Sequence, residues 1–467
     1  MSEHSRGALA CQFEMIRRSF AQAEGLPFAE LLSDEQLAQV GGVEAWEDAD
    51  EPVYSPWVTL EMFLSQTLDR DHSCRQAVAR LAAHLAARNE PECGVGTGGY
   101  CKARRRLPED TLHGLVRQTG CVLQQRADAG WRWLGRRVVV VDGSTVSLPD
   151  TPENQAEYPQ PDGQKPGLGF PMVRLVILFC LATGAVLEAS CGAYSGKGTG
   201  ELSLLRQIWS QLVAGDVLLG DRLYCSYFEL ALLKQRGVDS VTRRHQSRHT
   251  DFRRGQRLGP QDHLVTWTKP ARPDWLDEAT YAALPATLTV RETEVTESHR
   301  GFRSRRVIVI STCLDADTVT PANLTDLFAQ RWQVETNVRT LKQALGMHEL
   351  RCKTPEMIRK ELWVHLLAYN LIRGVIATAA TRHELRPRDL SFTGAVQTLL
   401  AFQWCLRTSS DHRAELLERF LTAIATHRIG DRPHRIEPRA IKRRPSKYPR
   451  LMKPRSLARS EAMRTKA

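Results

Sequence analysis

An α/β core flanked by helices is the fold class that the sequence predicts, and three observations predict it. Three strand-like apolar runs follow one another at 138–141, 172–181 and 185–193. After them, helical and strand signals alternate. On either side of this middle stretch, apolar residues recur three and four apart, the period of a helix seated on one face.

The first 135 residues read as a helical region. Ser33 and Gln36 have the spacing of a capping box, and Pro108-Glu109-Asp110 opens a segment whose Leu112, Leu115, Val116, Val122 and Leu123 cover one helical face. Just before that segment stand Lys102, Arg104, Arg105 and Arg106. Such a run is either a solvated face or a surface that meets phosphate, and the charge of the whole chain favours counting these four as DNA contacts.

From 136 to 242 the strand-like runs dominate, with Thr183-Gly184 breaking the second from the third. A helix is expected over 201–212, a short strand at 216–220, a helix at 226–236 and a fifth strand at 238–242. Three consecutive strands followed by helix–strand alternation is the order of a ribonuclease H-like core. Residues 243–312 interrupt it with a stretch rich in Arg, His, Thr and Val, including strand-like 286–295 and 305–312, which reads as a β-rich insertion.

The core resumes over 313–350 with a long helix that Thr320 caps and Pro321 opens. Helical signals continue through 351–429, a region suited to dimerisation. Residues 430–467 form a basic, Pro- and Arg-rich tail centred on Lys442, Arg443 and Arg444, a second candidate DNA contact.

Composition bounds the function classes. Charged residues make up 25% and hydrophobic ones 42%, the balance of a folded soluble chain, and the net charge of +11 attracts polyanions, with double-stranded DNA the first candidate. The eleven cysteines form no CxxC pair and none is set among histidines at zinc spacing, so reduced, mostly buried thiols are expected. The first twenty residues lack the apolar core of a signal peptide, which points to the cytoplasm. The most apolar stretches, 172–187 and 362–380, carry Arg174, and His365 with Arg373, and so read as buried elements with no part in a membrane.

Three acids stand out. Asp142 follows VVVV, and Asp221 follows VLLG, each where a buried strand is expected to emerge from the core. A carboxylate so placed needs a partner, and a metal ion is one of the few available. Taken singly, either is more simply a turn residue, and Arg222 would neutralise Asp221 locally. Taken together they sit at the strand ends, where ligands of an open α/β sheet gather.

The third acid comes from LTDLFAQRWQVETNVRTLKQALG. At 100° per residue, Phe328, Arg331, Glu335 and Lys342 fall within about 60° on one helical face. The apolar Leu327, Val334, Val338, Leu341 and Leu345 cluster roughly 80° away and would seat the helix on the sheet. An ordinary solvated Arg–Glu–Lys face is the simpler reading of the helix by itself. Glu188, Glu201 and Glu361 rank as substitutes for Glu335, though none belongs to a comparable line.

Three carboxylates suit two Mg²⁺ ions, with Mn²⁺ as a substitute, because hard divalent cations take oxygen ligands and keep several waters. Two such ions about 3.5–4 Å apart serve in-line displacement at a phosphodiester. In this reading Asp142 bridges the ions, Asp221 and Glu335 hold one each, and Arg331 and Lys342 neutralise phosphate charge, the first as a fork and the second as a point charge.

At these residues the sequence resembles the cut-and-paste DDE transposases of bacterial insertion sequences, in the family named after insertion sequence 4. An aromatic residue, Arg, Glu and Lys follow one another there with two, three and six residues between, as Phe328, Arg331, Glu335 and Lys342 do, and the contexts VVVVDGSTVSLPD and VLLGDRLYCSYFE also match. The resemblance implies a ribonuclease H-like catalytic domain with a β-rich insertion, a helical DNA-binding region before it, a homodimer pairing two transposon ends, and cleavage through hairpin ends. Phe328 departs from the family's usual Tyr and loses a hydroxyl that would contact a terminal phosphate. A base-stacking Trp of some members has no counterpart, its place falling near Arg306 or Val307, and Trp267 and Phe302 are the aromatics able to substitute. Competing readings are a catalytically silent DNA-binding relic and a stand-alone structure-specific nuclease on the same fold.

Overall fold

The computed structural model describes residues 53–69, 71–86, 93–297, 305–408, 412–429 and 452–464, with Leu31 and Val40. Ser33, Gln36, Phe302, Lys442, Arg443 and Arg444 lie outside the described residues.

Chain order begins with helices α1 (Pro56–Leu68), α2 (Cys74–Ala86), α3 (Gly98–Arg106) and α4 (Glu109–Gln125). Pro56 stands at the first turn of α1, where its missing N–H costs nothing, and the Ser55 hydroxyl accepts from Val58 N. Then come β1 (Val138–Ser147), α5 (Pro152–Glu157), β2 (Met172–Cys180), β3 (Val186–Ala193), α6 (Glu201–Gln207), β4 (Val217–Gly220), α7 (Tyr227–Gln235) and β5 (Asp239–Arg243). Next are β6 (Gln256–Gly259), β7 (Asp262–Thr268), α8 (Glu278–Ala283), β8 (Thr287–Glu297) and β9 (Arg305–Ser311). The rest is helical: α9 (Pro321–Gln330), α10 (Trp332–Gln343), α11 (Pro355–Arg382), α12 (Phe392–Thr408), α13 (Arg413–Thr426) and α14 (Arg455–Arg464).

All nine described strands join one sheet in the order β3-β2-β1-β4-β5-β9-β8-β7-β6. β1, β2 and β3 pair antiparallel, whereas β4 pairs parallel with β1 and β5 parallel with β4. That five-strand order and polarity is the ribonuclease H-like core. The strands between β5 and α9 form no separate sheet: β9 adds antiparallel to β5, and β8, β7 and β6 extend outward from it.

The five core strands are buried on both faces, so they alternate between two apolar layers. Val138 and Val140 of β1 with Val217 and Leu219 of β4 belong to the large core that includes Val334, Val338 and Leu341 of α10 and much of α11. Val139, Val141 and Leu218 face the other way, onto Leu204 and Leu205 of α6. Helix α11 is long and apolar enough to cross a membrane, but 89% of its apolar window is buried in the protein, consistent with its place in that core. Among the described residues ten cysteines are unbonded, and five of them are buried.

Two elements differ from the sequence reading. β1 does not end at Asp142: it continues to Ser147 because β2 pairs with it through Ser147↔Met172. What ends near Asp142 is the parallel ladder to β4, whose last pair is Val140↔Leu219. The helix expected over 201–212 stops at Gln207 and finishes as a 3-10 turn at Trp209–Gln211.

Candidate active site

Register places the first two acids. Val140 pairs with Leu219, so Asp142, two residues on in β1, and Asp221, the residue just after β4, stand at corresponding positions beyond the end of the parallel ladder. Strand alternation then turns both toward the layer of Val138, Val140, Val217 and Leu219, the same layer that holds α10. Asp142 Oδ1 accepts from Gly143 N at 3.0 Å, and Asp221 Oδ1 caps a 3-10 turn by accepting from Leu223 N at 2.7 Å. Arg222 Nη1 donates to Gln246 Oε1 at 3.2 Å.

Glu335 lies in the first turn of α10, and Arg331 Nη2 reaches its Oε1 at 3.1 Å. The three acids and Arg331 form one electrostatic cluster. Burial pushes the Asp142 carboxyl up to about 6; the Gly143 N–H and the Arg331 guanidinium oppose this, and the charges of Asp221 and Glu335 add to it. Lys342 is half-buried; burial draws its ammonium below the ordinary range and the Asp142 charge works against that.

The helix carrying Glu335 is not one uninterrupted cylinder. α9 ends at Gln330 and α10 starts at Trp332, with Arg331 between them and its N–H bonded to Phe328 O at 3.1 Å, three residues back. Beside this tighter turn Phe328 differs from the polar line in burial: it is 1% exposed in the large core with the Arg331 guanidinium 5.6 Å from its ring centre, while Arg331, Glu335 and Lys342 reach the surface in part. Its ring therefore does not present a face to DNA here. The cause is packing, since Leu327 and Phe328 both fill the layer beneath the sheet.

The basic run on α3 is likewise divided. Lys102, Arg105 and Arg106 are exposed, whereas Arg104 is 8% exposed, stacked over Phe63 and Tyr100. Trp267 is buried and covered by the Arg248 guanidinium 3.5 Å from its ring centre, which makes it a core residue of the extended sheet. Of the substitute acids, Glu188 is held by His113 and Arg117, and Glu361 accepts the backbone N–H groups of Arg351 and Cys352.

Glu201 is different. It begins α6, and its carboxyl lies 2.3 Å from where a Cβ on Gly143 would stand. Tyr224 covers Gly220 in the same manner and points its hydroxyl at Glu201 Oε2, 3.4 Å away. Burial raises the Glu201 carboxyl above its ordinary range, the Arg174 charge opposes this, and Asp221 adds to it. Both glycines adjoin an acid of the site, so each leaves room for a side chain on the opposite face of the sheet from α10. The sequence signal was there, in the pairs Asp142-Gly143 and Gly220-Asp221, but it has meaning only once the neighbouring helix is placed.

Among the described residues no three His, Cys, Asp or Glu side chains converge closely enough to hold one ion directly. Glu335 is turned to Arg331. The donor set nonetheless fits a hard divalent cation, because its three members are carboxylates whose mutual repulsion such a charge would relieve.

The family described as transposase DDE domain matches residues 133–371, just over half of the chain. The transposase InsG for insertion sequence element IS4 of Escherichia coli (strain K12) is 29% identical over 399 residues, which cover 83% of this chain and 85% of that protein. A cryo-EM structure of the piggyBac transposase synaptic complex with hairpin DNA aligns over 88% of this chain and 85% of its own, with 9% identity and a TM-score of 0.41.

Proposed function

This chain belongs to the transposase DDE-domain family, and from that premise we propose that Asp142, Asp221 and Glu335 are the acids with which it cleaves transposon ends and joins them to target DNA. The observation that carries this assignment is the parallel pairing of Val140 with Leu219, which sets Asp142 of β1 and Asp221 just past β4 at corresponding positions on the side of the Glu335 helix.

DDE transposases use divalent metal; here Asp142, Asp221 and Glu335 would hold it, as a pair of Mg²⁺ ions or of Mn²⁺ in their place. Bound there, the ions would activate an attacking oxygen and stabilise the leaving one. The protein's own part is positional and electrostatic. The sheet fixes the two aspartates at one level. Arg331, at the cap of the Glu335 helix, and Lys342, in its last turn, offset phosphate charge as the new P–O bond forms and the old one breaks.

The exposed Lys102, Arg105 and Arg106, together with the basic tail, supply phosphate contacts that hold double-stranded DNA. The working assembly is a homodimer that pairs two ends, and cleavage passes through a hairpin. Retention of all three acids with Arg331 and Lys342 supports an active enzyme over a silent relic.

The test is cleavage of a duplex carrying the element's terminal repeats. Wild-type chain should cut only with Mg²⁺ or Mn²⁺, and Asp142→Asn, Asp221→Asn and Glu335→Gln should each lose cutting while still binding the duplex. A variant in this set that cuts at the wild-type rate removes its residue from the site.

A further inference from the structure

A cavity of about 380 Å³ lies between α3 and the start of α11, away from the three acids. Its wall includes Arg104, a side chain more than nine-tenths buried. The guanidinium's polar neighbours are all neutral: Nη1 reaches Gln66 Oε1 at 3.4 Å, and Nη2 reaches the thiols of Cys74 at 3.3 Å and Cys101 at 3.7 Å. Its Nε has no partner.

Burial works against the Arg104 charge; the groups that work for it, and on balance hold the guanidinium above its ordinary range, are Tyr100, Cys352, Cys74 and Cys101, with no carboxylate among them. Burial holds both the Cys74 and Cys352 thiols above their ordinary range, so neither offers a thiolate in compensation. Glu361, the one acid of the wall, is committed to the backbone N–H groups of Arg351 and Cys352. A buried cation without a counter-ion is strongly unfavourable.

The remaining charges of the cavity have the same sign. Arg105, Arg351 and Lys353 border it, with Asp71 near enough to Arg351 to feel its charge. Thr354, the cap of the 28-residue α11, also borders it and makes no side-chain capping bond, so the positive end of that helix dipole opens on the same space.

We propose that this cavity binds a phosphate-type oxyanion, with Arg104 at its floor and Arg105, Arg351 and Lys353 at its mouth. As a contact to DNA the site rests on the transposase reading; as a receptor for free phosphate it does not. The ion supplies the charge that Arg104 lacks, and Arg104 binds it as a planar donor. The burial that disqualified Arg104 as a solvated contact thus assigns it a different role from its neighbours in the same run.

Full-length protein should be titrated calorimetrically with inorganic phosphate at fixed ionic strength. Saturable binding is expected, weakened at least tenfold in Arg351→Gln/Lys353→Gln and lost in Arg104→Met. The Arg104→Met chain should melt no lower than wild type, since it removes an unbalanced buried charge. If that variant fails to fold, the mouth variant decides, and an unchanged phosphate affinity there overturns the proposal.

Duplex DNA distinguishes the sources. If the oxyanion is a backbone phosphodiester, the slope of log K against log salt should become shallower by about one unit in Arg104→Met. Phosphate binding with an unchanged slope supports a site for free phosphate. No saturable phosphate binding and no change in slope overturn both forms. Should Asp142→Asn still cut DNA, the catalytic reading fails while the phosphate titration stands unaffected.

Discussion

Arg331 and Glu335 stand four residues apart with Nη2 3.1 Å from Oε1, so the acid in the first turn of α10 is bound to the cation that caps that helix. As an isolated pair on a partly exposed face it contributes only about 0.2–0.5 kcal/mol. Its value lies in charge balance, because Arg331 also opposes the upward push on Asp142. Arg331→Met should therefore change the melting temperature by a degree or two at most, while end cleavage falls at least about a hundredfold through loss of phosphate neutralisation. A variant melting far below wild type would instead make the residue a structural one.

Asp142 gives a prediction with opposite signs for stability and activity. Its folded carboxyl titrates at about 6 against an ordinary 3.8, chiefly through burial. The folded chain thus holds this proton more tightly than the unfolded chain does. Its contribution to stability is fullest below pH 4, declines between about pH 4 and 6, and above pH 6 remains as a penalty of about 1–3 kcal/mol. Asp142→Asn should raise the melting temperature of metal-free protein at pH 7.5, leave it nearly unchanged at pH 4, and abolish cleavage. Equal melting curves at pH 7.5 would contradict the burial argument.

Metal addition should read the same site independently. Mg²⁺ should raise the melting temperature of the wild-type chain at pH 7.5, and the rise should shrink as pH drops below about 6, where protons compete for Asp142. Asp221→Asn and Glu335→Gln should show a smaller rise at every pH, and chelator should reverse the effect. An undiminished Mg²⁺ response in Asp221→Asn would place the ion elsewhere.

How far the sequence exposed this site depended on the kind of structure involved. The acids were legible because an Asp after four or so buried apolar residues is costly, and that cost is local. The succession of core strands and helices was legible too, since the apolar runs at 138–141, 172–181 and 185–193 and the helical stripe of Val334, Val338 and Leu341 are each local. Burial set by distant partners was not. Phe328 looked like part of the polar line until the 3-10 step at Arg331 and the core beneath it were known, and Arg104 looked like its exposed neighbours until α1 supplied Phe63 and Gln66. The extension of the core sheet by β9 was likewise out of reach, because pairing between β5 and β9 bridges residues 241 and 311.

Glu201 provides the comparison that fixes the third acid. It lies on the α6 side of the sheet, over Gly143, whereas Glu335 lies on the α10 side that Asp142 and Asp221 face. Glu201→Gln should retain cleavage within about tenfold, and Glu335→Gln should lose at least about a thousandfold, measured on one duplex at saturating Mg²⁺. Gly143→Ala should resemble Glu201→Gln, since a Cβ would displace the Glu201 carboxyl. The reverse ranking would exchange the two glutamates.

The extended sheet hangs on a buried ion pair whose removal should be far more costly than that of any surface pair. Arg291 of β8 is fully buried; its Nε and Nη2 donate to the two oxygens of Asp262 on β7 at 2.8 and 2.6 Å, and its Nη1 donates to Val319 O at 2.5 Å, just before α9. Thr293 Oγ1 adds a further bond to Asp262 at 2.7 Å. The guanidinium thus ties the added strands to the segment that leads into the Glu335 helix. Arg291→Met leaves Asp262 charged and buried, which should cost about 3–5 kcal/mol, whereas Arg291→Met with Asp262→Leu should recover most of it. Chemical denaturation of both variants measures the difference. If the double variant regains stability but cleaves poorly, the bond to Val319 O is what positions the catalytic helix; if it cleaves normally, the pair serves folding alone.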